Sequence, residues 1–356
     1  MFVAWRDLRF ARGRFVLMGG VIVLITMLVG LLSGLTSGLG RESTSAITGL
    51  NADRLVFARS ADGPSFGGSS VEQRQWLDWR TAPGVLDATP LGVAPGRATS
   101  TTGSLSVSVF GVEPGTTVDA AAHDVRPGEV VLSTGAAEEL ALVAGDAVSV
   151  GGEELRVAAV RGAASFSHTP VVWTSLGDWQ RLAGRSTGVT PTATVVALRT
   201  GPSFDPATAP TPEVVVTIED SLSAIGAYTS ENGSLQLIRG FLFVISAVVI
   251  GAFFTVWTIQ RSGDIAVLKA LGASDRYLVR DAVGQALVLL LLGSTVGALL
   301  AAGAGALAAQ TVPFVLDPAT LGLPLLAMVA LGLLGAVLSV RRITSVDPLV
   351  ALGSTR

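Results

Sequence analysis

Residues 259–281 read IQRSGDIAVLKALGASDRYLVRD, a polar interval between two long apolar runs. It carries Arg261, Asp264, Lys269, Asp275, Arg276, Arg280 and Asp281, while the flanking runs are almost free of charge; Lys269 is the only lysine in the chain. The pattern predicts a short helix at a membrane surface. Ser262 is placed to cap its start by accepting a backbone N–H bond. Asp264 in the first turn and Lys269 near the last suit the helix dipole. Ile265, Leu268 and Leu271 recur at helical spacing and form one apolar side. Gly272 supplies the stop, and Ser274 caps a restart that runs on into the next apolar segment. A short helix of this kind between two spans reads as a docking element for something outside the membrane. A cytoplasmic loop whose basic residues only set orientation fits the same residues.

The chain is too apolar for an ordinary soluble protein. It is 49% hydrophobic and only 14% charged, with mean hydropathy +0.60, which points to an integral membrane protein. The absence of cysteine excludes disulfides, thiolate catalysis and cysteine-ligated metals. No basic arm interleaved with aromatics suggests nucleic acid.

Residues 1–14 hold Arg6, Arg9, Arg12 and Arg14 with Trp5 and Phe10, an interfacial lead-in. The first apolar run, Phe15–Leu35, is uncharged; at ~1.5 Å per residue it covers roughly 30 Å, enough to cross a bilayer. It is too long for a signal-peptide core and reads as an uncleaved span within 15–39. Gly30, Gly34 and Gly38 recur every four residues, a spacing that lets another helix approach closely, although glycine is common in membrane helices anyway. Further spans are expected at 236–259, 282–309 and 321–340, with a short turn at 310–320 and a tail at 341–356. Gly293 and Gly297 form a second close-packing pair. Basic residues sit before the first span, in 260–281 and in the tail (Arg341, Arg342, Arg356), but not in 310–320. The positive-inside rule then places both termini and 260–281 in the cytoplasm and 40–235 outside.

Residues 40–235 change character and hold no run long enough to span. Strands are expected at Ser104–Val112, Glu129–Ser133, Ala147–Val150, Glu154–Val160, Thr169–Trp173, Thr192–Leu198 and Glu213–Ile218. Helices are expected at Ser70–Arg80, Gly135–Leu142 and Ser175–Leu182. Ile218–Arg239 is amphipathic and predicts a stalk helix, broken near Asn232-Gly233, that leads into the second span. The fold class is therefore an integral membrane α-helical protein with four transmembrane helices plus an extracytoplasmic α+β domain.

Catalytic patterns are missing. There is no G-x-x-x-x-G-K-[ST], so the chain is not expected to bind ATP itself, and no G-x-S-x-G or H-E-x-x-H. Asp119, His123 and Asp124 lie close in sequence, but nothing completes a metal or base site, and a solvated loop is the plain reading. His168 reads as a loop histidine, and Glu138 and Glu139 as a solvated helix face. The spans lack interior carboxylates or bases, which argues against an ion-coupled carrier.

One span, a large external domain and three clustered spans, with DIAVLKALGAS at 264–274, resemble the FtsX/MacB/LolC-type ABC transporter permeases. Asp264 stands where that family more usually has Glu. The tail Val346-Asp347-Pro348-Leu349-Val350-Ala351-Leu352 resembles its Pro-x-x-Ala-Leu ending, and Trp5-Arg6-Asp7-Leu8 its lead-in; the middle domain resembles the periplasmic core domain in pattern only. The resemblance implies a homodimer, or a heterodimer with a related permease, on two copies of a separate P-loop ABC ATPase that binds ATP and Mg. This chain would hold no cofactor or metal. Residues 260–281 would be the coupling helix, with Asp264, Ile265, Val267, Leu268, Lys269, Leu271, Gly272, Ala273 and Ser274 as the ATPase-coupling positions. Other implied contacts are the lipid bilayer and an extracytoplasmic protein or cargo, with no nucleic acid. Mechanotransmission of a hydrophobic, lipid-linked or peptide cargo is the implied activity. The alternative is an FtsX-like transducer regulating a cell-wall hydrolase.

Overall fold

The computed structural model describes residues 12–187, 191–206, 213–260, 263, 267, 269 and 271–344. The chain divides into two compact units, one of Met1–Gly38 with Ser234–Arg356, the other Leu39–Gly233.

The first unit is helical. Its elements are α1 (Arg12–Thr48, which continues into the second unit), α6 (Gly226–Gln260), α7 (Asp275–Ala308) and α8 (Pro318–Thr344). All four contain stretches long and apolar enough to cross a membrane. α8 starts at Pro318, whose missing N–H costs nothing in a first turn, behind Asp317, whose Oδ1 accepts from the Thr320 amide at 2.6 Å. Met18, Ile22 and Val29 of α1 form a buried core with Ile250 and Phe254 of α6, Leu289 and Leu290 of α7, and Met328 and Val329 of α8.

Small residues set the helix contacts. A Cβ on Gly293 would lie 2.8 Å from Ile22, and one on Gly297 2.6 Å from the Val23 carbonyl oxygen, so α7 approaches α1 along that pair. Thr26 Oγ1 donates to Ser294 Oγ at 3.4 Å in the same contact. Gly335 of α8 crosses Gly251 of α6. The 30/34/38 stripe of α1 meets a helix only at Gly30, against Ala301 of α7. A Cβ on Gly34 would lie 2.2 Å from the Phe314 ring, and one on Gly38 1.8 Å from the Pro313 carbonyl oxygen. The stripe thus seats the α7–α8 turn, whose Val315 amide donates to the Gly34 carbonyl at 3.1 Å.

The second unit is α+β. Its strands are β1 (Arg54–Phe57), β2 (Val85–Thr99), β3 (Ser104–Val112), β4 (Glu129–Leu132), β5 (Ala147–Val150), β6 (Glu153–Val160), β7 (Ser165–Phe166), β8 (Thr169–Ser175), β9 (Val195–Thr200) and β10 (Val214–Thr217). Its helices are α2 (Gln73–Arg80), α3 (Thr134–Leu140), α4 (Leu176–Thr187) and the short α5 (Ile218–Ser221). The strand order is β10-β1-β9-β2-β3-β8-β4-β6-β5, and β5 pairs back onto β2, closing a six-stranded circuit. β3–β8 and β4–β6 are parallel; the other pairs are antiparallel. Both faces of this sheet are covered. Val109, Val130, Leu132 and Val172 face a core shared with α3 and α4. Phe110, Val131, Val171 and Trp173 face another, shared with Ala46 and Ile47 at the end of α1. Burial on both faces explains why these strands read as continuous apolar runs. Through the second core runs a chain of edge-to-face rings, Phe57–Phe66–Phe166–Phe110–Trp173, with centroids 5.0–5.5 Å apart.

The structure departs from the local sequence pattern at three places. β2 is a 15-residue strand that carries Pro90 and Pro95, residues that argue against a strand when read locally. At Pro95 the edge away from β3 has no ladder partner, since β9 pairs β2 only as far as Leu91 and β5 only from Ala98. A missing N–H costs nothing there. Secondly, α6 runs unbroken through Asn232-Gly233; the break falls at Ile225, which is extended (φ −91°, ψ 100°) between a 3-10 turn at Leu222–Ala224 and α6. Thirdly, β1 and β7 are strands the pattern did not single out; β7, of two residues, is too short to show a period.

Candidate functional site

The segment between α6 and α7 is described only in part. Asp264, Ile265 and Leu268 lie outside the described residues, as do Arg261 and Ser262. Of the rest, Val267 is 56% and Leu271 80% exposed. The Leu271 amide donates to the Val267 carbonyl at 3.0 Å and the Gly272 amide to the Lys269 carbonyl at 2.9 Å. Gly272 then turns left-handed (φ +93°), a conformation glycine adopts without steric cost. Ser274 is the N-cap of α7: its backbone is extended, and its Oγ accepts from the Tyr277 amide at 3.4 Å. Ala273 is half-buried beside it. The result is a helical turn with two exposed aliphatic side chains. It lies at the opposite end of α7 from the turn that seats on Gly34 and Gly38.

Two clefts open among the described residues of the second unit. One, of about 520 Å³, is lined by Asn51, Thr116, Asp119, His123, Asp124 and Arg161. It gathers the three residues that are close in sequence, but their polar groups are already engaged. His123 Nδ1 is 2.9 Å from the Thr116 carbonyl oxygen, and Arg161 Nη1 donates to Asp124 at 2.6 Å. Burial pushes the Asp119 carboxyl up, against a bond from the Ala121 amide. The hydrogen bond from Arg161 and its charge hold Asp124 below the usual carboxylate range. Among the described residues no group of three or more His, Asp or Glu is placed to hold a metal ion. Glu138 and Glu139 are exposed on α3.

The other cleft, of about 310 Å³, opens where β2 and β5 part around Pro95. Val109, Val150, Leu182 and Ala183 give it apolar walls, and Arg97 and Arg185 lie in its lining. Arg185 is paired with Glu153 at 3.1 Å.

Sequence reasoning missed two polar centres. The side chain of Asp178 is fully buried and accepts from the Gly128 amide (2.8 Å) and Ser175 Oγ (2.6 Å), with Arg181 as its ion-pair partner. Its signal was present as Ser175-x-x-Asp178, a helix-start pattern. His168 sits at the tip of the β7–β8 hairpin among Ser43, Glu42 and Glu231. Partners so far away in sequence leave no local signal.

The chain matches the model of a MacB-like periplasmic core domain over residues 15–211 and that of the FtsX-like permease C-terminal over residues 237–348. It belongs to the MacB/FtsX-type ABC transporter permeases. An uncharacterized ABC transporter permease of Mycobacterium tuberculosis is 27% identical over 358 residues, covering 99% of each chain. A putative hemin transport system permease protein, HrtB, of Staphylococcus epidermidis is 24% identical over 359 residues, again covering 99% of each. Among solved structures, the permease is similar to the periplasmic region of MacB from Actinobacillus actinomycetemcomitans. That match has TM-score 0.36 and 12% identity, over 51% of this chain and 95% of that one. It is also similar to the extracellular domain of the ABC-type transporter YknZ from Gram-positive bacteria, at TM-score 0.31 and 15% identity, over 42% and 83%. The two family matches and the four long apolar helices make the permease a membrane protein with four spanning helices and an extracellular α+β domain.

Proposed function

We propose that this permease couples ATP hydrolysis by a separate P-loop ATPase to movement of its external unit, and so exports or extracts a hydrophobic, lipid-linked or peptide cargo. The observation that carries the reading is the pair of family matches on a chain without a phosphate-binding loop, with exposed Val267 and Leu271 between two spanning helices. In this reading two ATPase copies, which bind the ATP and Mg, sit beneath a homodimer or a heterodimer with a related permease. Residues 264–274 dock on the ATPase, both termini face the cytoplasm, and the permease is a non-catalytic subunit. An apolar-walled cleft in the external unit favours cargo handling over the second reading, a transducer that moves an external hydrolase. The hemin named for the staphylococcal relatives is one cargo to assay.

The test is co-purification from native membranes with the ATPase, followed by ATPase stimulation in nanodiscs. Leu271 is 80% exposed, so Leu271→Asp leaves the permease folded, and it should abolish stimulation; Leu268→Asp should do the same. Full stimulation by both variants would refute the coupling assignment. Capture of an external hydrolase whose activity follows the ATPase cycle, with no cargo transported, would favour the transducer.

A further inference from the structure

The hairpin β7–β8 carries a feature the permease reading does not use. Ser165 pairs with Pro170 and Phe166 with Thr169, so the turn consists of Ser167 and His168, both left-handed (φ +51° and +61°). Two such residues in succession match the tight turn that suits the twist of a hairpin. The hairpin is anchored at both ends. Phe166 packs inward between the rings of Phe66 and Phe110. Outward, the tip lies on the end of α1: the Ser167 amide donates to the Ser43 carbonyl at 3.1 Å, and the Ser165 amide to Ser45 Oγ at 2.8 Å.

The imidazole then spans two helices. Nε2 is 2.6 Å from Glu231 Oε2 on α6 and 2.8 Å from Ser43 Oγ on α1. Nδ1 is 3.6 Å from Glu42 Oε2 on α1. Among the described residues, Glu42 and Glu231 are the charged groups that face the ring from these helices. They lie at its two opposite nitrogens, so one ion could not take both with the ring. The arrangement is a bridge, and its strength depends on the proton. An imidazolium donates an N–H to Glu231 and places its charge 3.6 Å from the Glu42 carboxylate, whereas a neutral ring has one N–H only. If the neutral ring gives that N–H to Glu231, it turns a lone pair toward the carboxylate of Glu42.

We propose that His168 is a protonation-controlled clasp that fastens the external end of α1 to the start of α6 through the β7–β8 hairpin. The sign follows from the chemistry. Protonation favours the fastened state: the doubly protonated ring holds both helices, and the neutral ring lets go of one arm. α1 and α6 are the two helices that carry the chain into and out of the external unit. The clasp would therefore make the freedom of that unit depend on the pH outside the membrane.

Hydrogen exchange on the full-length chain in lipid nanodiscs tests this without any ATPase partner, between pH 5 and 8, where imidazoles change charge. The reporters are the peptides carrying the Ser165 and Ser167 amides and the first turns of α6, with β3 as an internal control. After correction for intrinsic exchange, protection of the reporters should be about threefold to fivefold greater at pH 5.5 than at pH 8, the range expected of a solvent-accessible ion pair. β3 should not change. His168→Asn keeps a residue that tolerates the left-handed turn but cannot titrate, and should abolish the difference. Glu42→Gln should shrink it while leaving the turn untouched. Equal protection at both pH values in the wild-type chain would overturn the proposal, as would a pH difference that survives in His168→Asn.

Discussion

Gly34→Ala tests whether the α7–α8 turn is locked onto α1. The Phe314 ring is held between two glycines: a Cβ on Gly34 would lie 2.2 Å from it, and a Cβ on Gly305 2.3 Å. The ring cannot yield toward one helix without meeting the other, and the turn is tied down by the Val315–Gly34 backbone bond. Alanine is intrinsically better than glycine in a helix by about 1 kcal/mol, so without the clash the variant should be more stable. With the clash, overpacking costs about 1–3 kcal/mol, and the wild type should remain the more stable. A double-mutant cycle separates the two effects. Phe314→Ala alone should destabilise by about 2 kcal/mol, less than a fully buried phenylalanine because the ring is half-exposed. In that background Gly34→Ala should be neutral or stabilising, giving a coupling of about 2 kcal/mol. The assay is reversible unfolding by SDS titration in mixed micelles, followed by the far-UV helical signal. Strict additivity, or a Gly34→Ala variant more stable than wild type with Phe314 present, would refute the lock.

The external unit offers further tests, each read by thermal unfolding of the purified chain or by the stated probe. Gly111→Ala should destabilise it by about 1–3 kcal/mol, because a Cβ there would lie 2.3 Å from Trp179, whose ring fills the slot left by paired Gly92 and Gly111; near-UV circular dichroism should show the disturbed indole. Asp178→Ala should cost about 1–3 kcal/mol, since it leaves the buried Ser175 Oγ without its partner and removes the acceptor of the Gly128 amide; an unchanged melting temperature would contradict that. Phe166→Ala should cost about 3–5 kcal/mol by opening a cavity between Phe66 and Phe110, and should expose the β7–β8 hairpin to protease. Arg161→Ala should raise the titration of the Asp124 carboxyl, because the hydrogen bond and charge of Arg161 are what lower it; carboxyl carbon NMR reads the shift. What the pair contributes is present above the ordinary carboxylate range and lost as pH falls through the lowered value.

The sequence disclosed interactions that repeat or lie close together, and hid those that are single and distant. Four apolar runs announced the spans because burial in lipid constrains some twenty successive residues at once. Ala147–Val150 and Ser104–Val112 were legible as strands because β-branched residues fill them. β2 was not, since its two prolines read locally as breaks, and Pro95 is tolerated because the strand changes partner there, from β9 up to Leu91 to β5 from Ala98. The glycine stripe of α1 marked a close approach without naming what approaches, because a missing side chain serves a backbone turn as well as a helix. For Gly38 the neighbour is the Pro313 carbonyl, and no periodicity in 310–320 could have said so. The candidate sites divide in the same way. Of the 259–281 segment, the glycine stop at Gly272 and the restart at Ser274 were readable because each rests on one residue and its immediate neighbours; the start of the segment lies outside the described residues. His168 carried no local mark, and only the folded chain brings Glu42 and Glu231 to its two nitrogens. A histidine whose neighbours in sequence are serine and threonine can be judged only by which helices it meets, and here it meets both helices that join the external unit to the membrane-spanning segments.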